Sequence, residues 1–84
     1  MKEIAYSRTA LKALTRMPRN TAQRIRDKIR AFADNPSSQA NNVTRLKGDD
    51  GPVRLRVGDW RVAMRDESVL QVLTVAGRGS VYRG

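Results

Sequence analysis

Val53-Arg54-Leu55-Arg56-Val57-Gly58-Asp59-Trp60-Arg61-Val62 consists of two runs in which apolar and other residues alternate, joined by Gly-Asp. A period of two marks strands with one buried face, and Gly-Asp between two such runs reads as a two-residue hairpin loop. The loop fixes a register, with Val57 opposite Trp60, Arg56 opposite Arg61, Leu55 opposite Val62 and Arg54 opposite Ala63. Leu55, Val57, Trp60 and Val62 then share a face that another layer must cover. Arg54, Arg56 and Arg61 gather on the opposite face.

Toward the C-terminus the pattern continues with Met64, a turn at Asp66-Glu67-Ser68 and a Val69–Ala76 run rich in β-branched residues. Toward the N-terminus the period of two is expected from Thr44 onward through Leu46, with a Gly48–Gly51 turn after Lys47. Ser37–Asn42 is polar and without periodicity, and is read as a loop.

The covering layer lies further upstream. Ala22, Ile25, Ile29 and Phe32 recur at helical spacing and Asn35-Pro36 ends the run. Asn20 with Gln23 three residues on is expected to form a capping box for this helix. Ser7 is placed to cap an earlier helix carrying Ala10, Leu11 and Leu14, which Pro18 stops after Met17. A turn this short predicts an antiparallel helix hairpin, its apolar stripes facing a sheet. Lys2–Tyr6 reads as a short strand. The expected class is α+β: an N-terminal strand, an antiparallel helix hairpin, then a three- to four-stranded antiparallel sheet.

The chain has 84 residues, enough for one domain over 1–84, and a domain of this size buries only roughly 60–65% of its unfolded surface. It contains neither cysteine nor histidine. A disulfide framework, a thiol nucleophile and a thiolate metal site are thereby excluded, along with the commonest metal ligand and general base. No cofactor or metal is expected. No apolar run is long enough to span a bilayer and the N-terminus carries no apolar signal region, so no membrane association and a cytoplasmic location are expected.

Charge narrows the partners. Lys and Arg number 17 against 8 Asp and Glu, a net +9, and all the basic residues except Lys2, Lys12, Lys28 and Lys47 are arginines. The planar arginine fork binds phosphate bidentately, which points to nucleic acid. Arg56 facing Arg61 destabilises a sheet by a few tenths to about 1 kcal/mol, and such crowding fits a face kept for an anionic ligand. The other reading is a solvated face whose arginines splay into screened water. Arg19, Arg26 and Arg30 line one side of the second helix and are read as a solubilising surface. Trp60, on the inward register, is read as core.

Arg45-Leu46-Lys47-Gly48, the Val53–Val62 hairpin, Arg78, and Val81-Tyr82-Arg83 together resemble the RelE/ParE toxin superfamily. The likeness covers nearly the whole chain, and its most specific part is the Arg-Val-Gly-Asp-aromatic-Arg hairpin. Membership implies a RelE-like fold and one half of a bacterial type II toxin–antitoxin pair. RelE-like members are ribosome-dependent endoribonucleases acting on messenger RNA, and ParE-like members poison DNA gyrase; a non-catalytic RNA- or ribosome-binding module using the same arginine face is the remaining alternative. The resemblance further implies a cognate antitoxin whose acidic segment wraps the toxin.

Matched position by position, the resemblance makes Arg61, Arg78, Tyr82 and Arg56 the expected catalytic set. Arg54, Lys47, Arg45 and Arg83 are expected to bind RNA. Attack of a ribose 2′-hydroxyl on its phosphate needs stabilisation of a phosphorane and proton transfers at two oxygens. Arginines supply the first; Tyr82 could stack on a base or exchange a proton. The sequence departs from many relatives in having no histidine or acid near the terminal tyrosine, Gly77 and Gly79 flanking Arg78 instead, and this leaves the general base unassigned. Arg61 is expected to be dispensable for folding, since its removal relieves repulsion from Arg56.

Overall fold

The computed structural model describes residues 2–45 and 52–77. Strand β1 (Ile4–Tyr6) leads into helices α1 (Arg8–Arg16) and α2 (Arg19–Asp34), followed by a 3₁₀ segment (Pro36–Asn42). Strands β2 (Val43–Arg45), β3 (Pro52–Val57), β4 (Trp60–Asp66) and β5 (Leu70–Gly77) complete the chain. They form one five-stranded sheet in the order β1-β5-β4-β3-β2. Four strands are antiparallel as expected, and β1 adds to β5 in parallel, Ile4 beside Leu70. A parallel pair needs a long crossover, which the helices and the remaining strands provide.

Ser7 caps α1 as the sequence predicts, its Oγ accepting from the Ala10 amide at 3.0 Å. Met17, preceding Pro18, turns extended (ψ 164°) and ends α1. The predicted capping box on α2 does not form. Pro18 already occupies the N-cap position and no side chain caps there, so Asn20 lies inside the first turn. Asn20 Oδ1 instead accepts from the Thr21 amide, and Gln23 Nε2 donates to Asp27. Proline's preset φ starts the helix without a side-chain acceptor. The expected loop Ser37–Asn42 belongs to the 3₁₀ segment, kinked at Gln39.

Both helices lie on one face of the sheet. Ala10 and Leu14 of α1 and Ile25, Ile29 and Phe32 of α2 are buried against Val53, Leu55, Val57, Val62, Met64, Leu70, Val72 and Val75. Inward Val72 and Val75 are three residues apart, which a regular strand forbids. A bulge resolves this: Ala63 pairs with Thr74 but Met64 pairs with Val72, leaving Leu73 as the extra residue. The Leu73 carbonyl accepts from the Ser7 hydroxyl at 2.5 Å, so one serine both caps α1 and ties it to the bulge. In β2 the inward apolar residue is Val43, opposite Leu55. Leu46 lies outside the described residues.

Candidate nucleic-acid interface

The β3–β4 hairpin closes through Gly58, whose φ of +60° suits the first position of the two-residue turns that match strand twist. Its register is the predicted one: Val57–Trp60, Arg56–Arg61, Leu55–Val62 and Arg54–Ala63. Burial alternates accordingly, with Val53, Leu55 and Val57 inside and Arg54 and Arg56 exposed. Arg54, Arg56 and Arg61 therefore share the sheet face turned away from the helices.

Arg65 joins them. It is exposed on β4 opposite Pro52, two strand steps beyond Arg61 on the same face, and stands 3.9 Å from Glu67. Arg65 is absent from the expected site residues, although the alternation through Ala63 and Met64, carried one residue further, gives the signal. Around Arg61 the outward residues are short, with Ala63 between Arg61 and Arg65, Ala76 opposite Arg61 and Thr74 opposite Ala63, while Gln71 stands opposite Arg65. Long cations rise from a low floor, a shape open to a backbone of phosphates.

Arg61 is held differently from the others. It is half-buried, and Nη1 donates to the Gly58 carbonyl at 3.1 Å and to the Trp60 carbonyl at 3.0 Å. These bonds fix the guanidinium beside the turn. They also set an attraction to the turn against the repulsion from Arg56.

Arg45 is not brought to this face. It pairs with Val53 on the helix side of the sheet, lies 5.8 Å from the centre of the Phe32 ring and places Nη2 3.4 Å from Asp66 Oδ2. Lys2 bonds the other Asp66 oxygen, so this carboxylate is bracketed by two cations under the end of α2. Lys47, Arg78, Tyr82 and Arg83 lie outside the described residues.

On the helix layer, Arg26 lies 5.2 Å above the Tyr6 ring, so at least this arginine of α2 packs rather than merely solvates. Burial pushes the Tyr6 phenol above its ordinary pKa, against the opposing pull of Arg26 and Arg30. Trp60 is half-buried and packs against the core, in keeping with its inward register. No group of three or more potential metal ligands occurs among the described residues, and no helix among them is long and apolar enough to cross a membrane.

A family described as the ParE toxin of the type II toxin–antitoxin system parDE matches residues 4–82. No curated protein sequence matches the chain. Among solved structures, a chain of the archaeal RelE–RelB complex from Pyrococcus horikoshii OT3 superposes with a TM-score of 0.80 at 23% identity, over 93% of this chain and 96% of that one. The isolated E. coli RelE toxin gives 0.74 at 17% identity, over 99% and 93%. A chain of the RelB–RelE antitoxin–toxin complex from Methanococcus jannaschii gives 0.69 at 23% identity, over 94% and 95%. At these identities the likeness is one of fold, and the RelE-like α+β arrangement is established by it.

Proposed function

The chain belongs to the family of ParE toxins of type II toxin–antitoxin systems, and from that premise we propose that it is a ribosome-dependent endoribonuclease that cuts messenger RNA. The observation that carries this reading is the facing pair Arg56 and Arg61, with Arg54 and Arg65 on the same open sheet face. Arginine stays protonated at any physiological pH, so four clustered guanidinium groups on a rigid sheet favour a ligand rich in phosphate.

In the proposed reaction the ribose 2′-oxygen loses its proton and bonds to phosphorus. The P–O5′ bond breaks and the departing 5′-oxygen takes a proton, leaving a 2′,3′-cyclic phosphate and a 5′-hydroxyl. The intervening phosphorane carries more negative charge than the starting diester, and donors fixed in advance stabilise it most. Arg61, held at the turn, and Arg56 opposite it take that part; Arg54 and Arg65 hold the flanking backbone. Arg78 and Tyr82 complete the set in this reading, with Tyr82 stacking on a base or exchanging a proton. Lys47 and Arg83 extend the backbone contacts. Arg45 is left out of the RNA-binding set because Asp66 and Phe32 already engage it.

An antitoxin partner follows from the family. The P. horikoshii and M. jannaschii structures are toxin–antitoxin complexes, and an acidic segment would neutralise the +9 charge while covering the arginine face. The second reading, a DNA gyrase poison, is favoured by the match to the ParE family and by the poor proton-accepting power of arginine. Mapping message ends after incubation with translating ribosomes, beside a gyrase cleavage reaction, separates the two. Intact messages together with trapped double-strand breaks would overturn the nuclease.

A further inference from the structure

Between the first turns of α2 and the tip of the β3–β4 hairpin lies a notch of about 210 Å³, lined by Thr21, Arg24, Ile25, Val57, Asp59 and Trp60, with Gly58 at the turn. Ile25 and Val57 are 0% and 4% exposed, and Trp60 is half-buried beside them. Ile25 and Val57 are thus sealed behind the notch, and half-buried Trp60 supplies the apolar surface that it leaves open.

Two cations stand on either side of it. Arg24 is part of its lining. Arg61 donates to the carbonyls of Gly58 and Trp60, both lining residues, so its guanidinium sits just across the turn. We propose that the notch receives an apolar side chain of the antitoxin, with acidic residues of the same segment pairing with Arg24 on one side and Arg61 on the other. The proposal rests on the toxin–antitoxin reading and specifies where the partner is anchored.

Size and chemistry select this occupant. A cavity of about 150 Å³ already accommodates a benzene ring, so the notch admits Leu, Met or Phe. Half-buried Trp60 gives such a side chain an apolar surface to pack on, and a nucleobase is the alternative occupant that titration with RNA distinguishes. The charge of the chain, +9, selects for acidic residues around the anchor. Asp59 is the one acid of the lining and can accept from a backbone amide of the incoming segment. Such an anchor has the properties of a hot spot, apolar and centred between charged contacts. Once seated, it would bring a carboxylate onto Arg61 without altering the toxin's fold.

Trp60 is the only tryptophan of the chain, so toxin labelled with 5-fluorotryptophan gives a single ¹⁹F line reporting on the notch. The unlabelled product of the open reading frame adjacent to the toxin gene, and separately a single-stranded RNA oligonucleotide, are titrated into it. The expected result is a shift with the protein and none with the RNA. Thr21→Phe, which fills the notch, and Arg24→Glu, on an exposed position, should each weaken Kd roughly ten- to hundredfold with melting temperatures near the parent's. Arg24→Glu carries the test if Thr21→Phe fails to fold. Parental affinity in the folded variants with an unmoved line overturns the notch while leaving the antitoxin reading intact. A shift with RNA instead makes it a base-binding site. Failure of the adjacent product to bind the parent toxin defeats the toxin–antitoxin reading itself, and the notch proposal with it.

Discussion

Arg61 stands directly opposite Arg56 in the β3–β4 ladder while its own guanidinium is tied back to the Gly58 and Trp60 carbonyls. The two relationships oppose each other energetically. Repulsion across the strands costs a few tenths to about 1 kcal/mol, and charge-to-carbonyl bonds at a half-exposed site offset an amount of the same order. Arg61→Ala should therefore melt with stability within about 1 kcal/mol of the parent. Ribosome-dependent cleavage should fall roughly 10²–10³-fold, as for loss of one donor to a developing anion. A mutant that loses stability but keeps cleavage would make Arg61 a turn residue only.

Arg54 and Arg56 are exposed and make no ion pair within the described residues, so they are available to phosphate. Each phosphate contact to a single strand contributes about 0.7 to the slope of log K against log salt. The double variant Arg54→Ala/Arg56→Ala should lower that slope by about 1.4 when binding to an RNA oligonucleotide is followed by anisotropy. An unchanged slope would remove both from the RNA contacts.

Arg45 should behave in the opposite way. Its side chain spans Phe32 and Asp66 on the helix side of the sheet, so Arg45→Ala should lower stability by about 0.5–1.5 kcal/mol and leave the RNA salt slope untouched. Urea unfolding and the same anisotropy series check the pair of outcomes. A lowered slope with parental stability would return Arg45 to the RNA-binding set.

Ser7 serves two backbone groups at once, accepting from Ala10 and donating to the carbonyl of the bulged Leu73. Ser7→Ala loses a cap and strands a half-buried carbonyl, at a cost of about 1–3 kcal/mol. Ser7→Thr should recover most of that in denaturant melts, because the hydroxyl is kept. Equal loss in both variants would show that side-chain shape, not the hydroxyl, holds the joint.

Tyr6 gives stability a pH dependence. Burial raises its phenol above the ordinary 10.0, so the folded state holds the proton more tightly than the unfolded one. This contribution is fully present below pH 10 and is lost as pH rises through the folded pKa. As pH rises above 10, the unfolded value, toward the raised folded one, the parent should lose more stability than Tyr6→Phe. Parallel loss in the two proteins would show that the phenol does not titrate differently on folding.

The Val53–Val62 stretch determined its own local structure and much of the fold: alternation set which side chains face the core, and Gly58-Asp59 set the register that brings Arg56 and Arg61 together. Helical spacing likewise placed Ile25, Ile29 and Phe32 inside. These features are local, written in neighbours a few residues apart. What the sequence could not decide depends on contacts between distant segments. Arg45 has the same apparent freedom in the sequence as Arg54, and only the pairing of β2 with β3 assigns it to the Asp66 side. The Val69–Ala76 run gives no sign of a bulge at Leu73, because the Ser7 hydroxyl that satisfies the bulge carbonyl arrives from 66 residues away. Asn20 looked like a cap until Pro18 started the helix ahead of it. The parallel docking of β1 on β5 and the notch between α2 and the hairpin arise only when layers meet, since burial of an apolar face selects a partner surface that periodicity alone does not name.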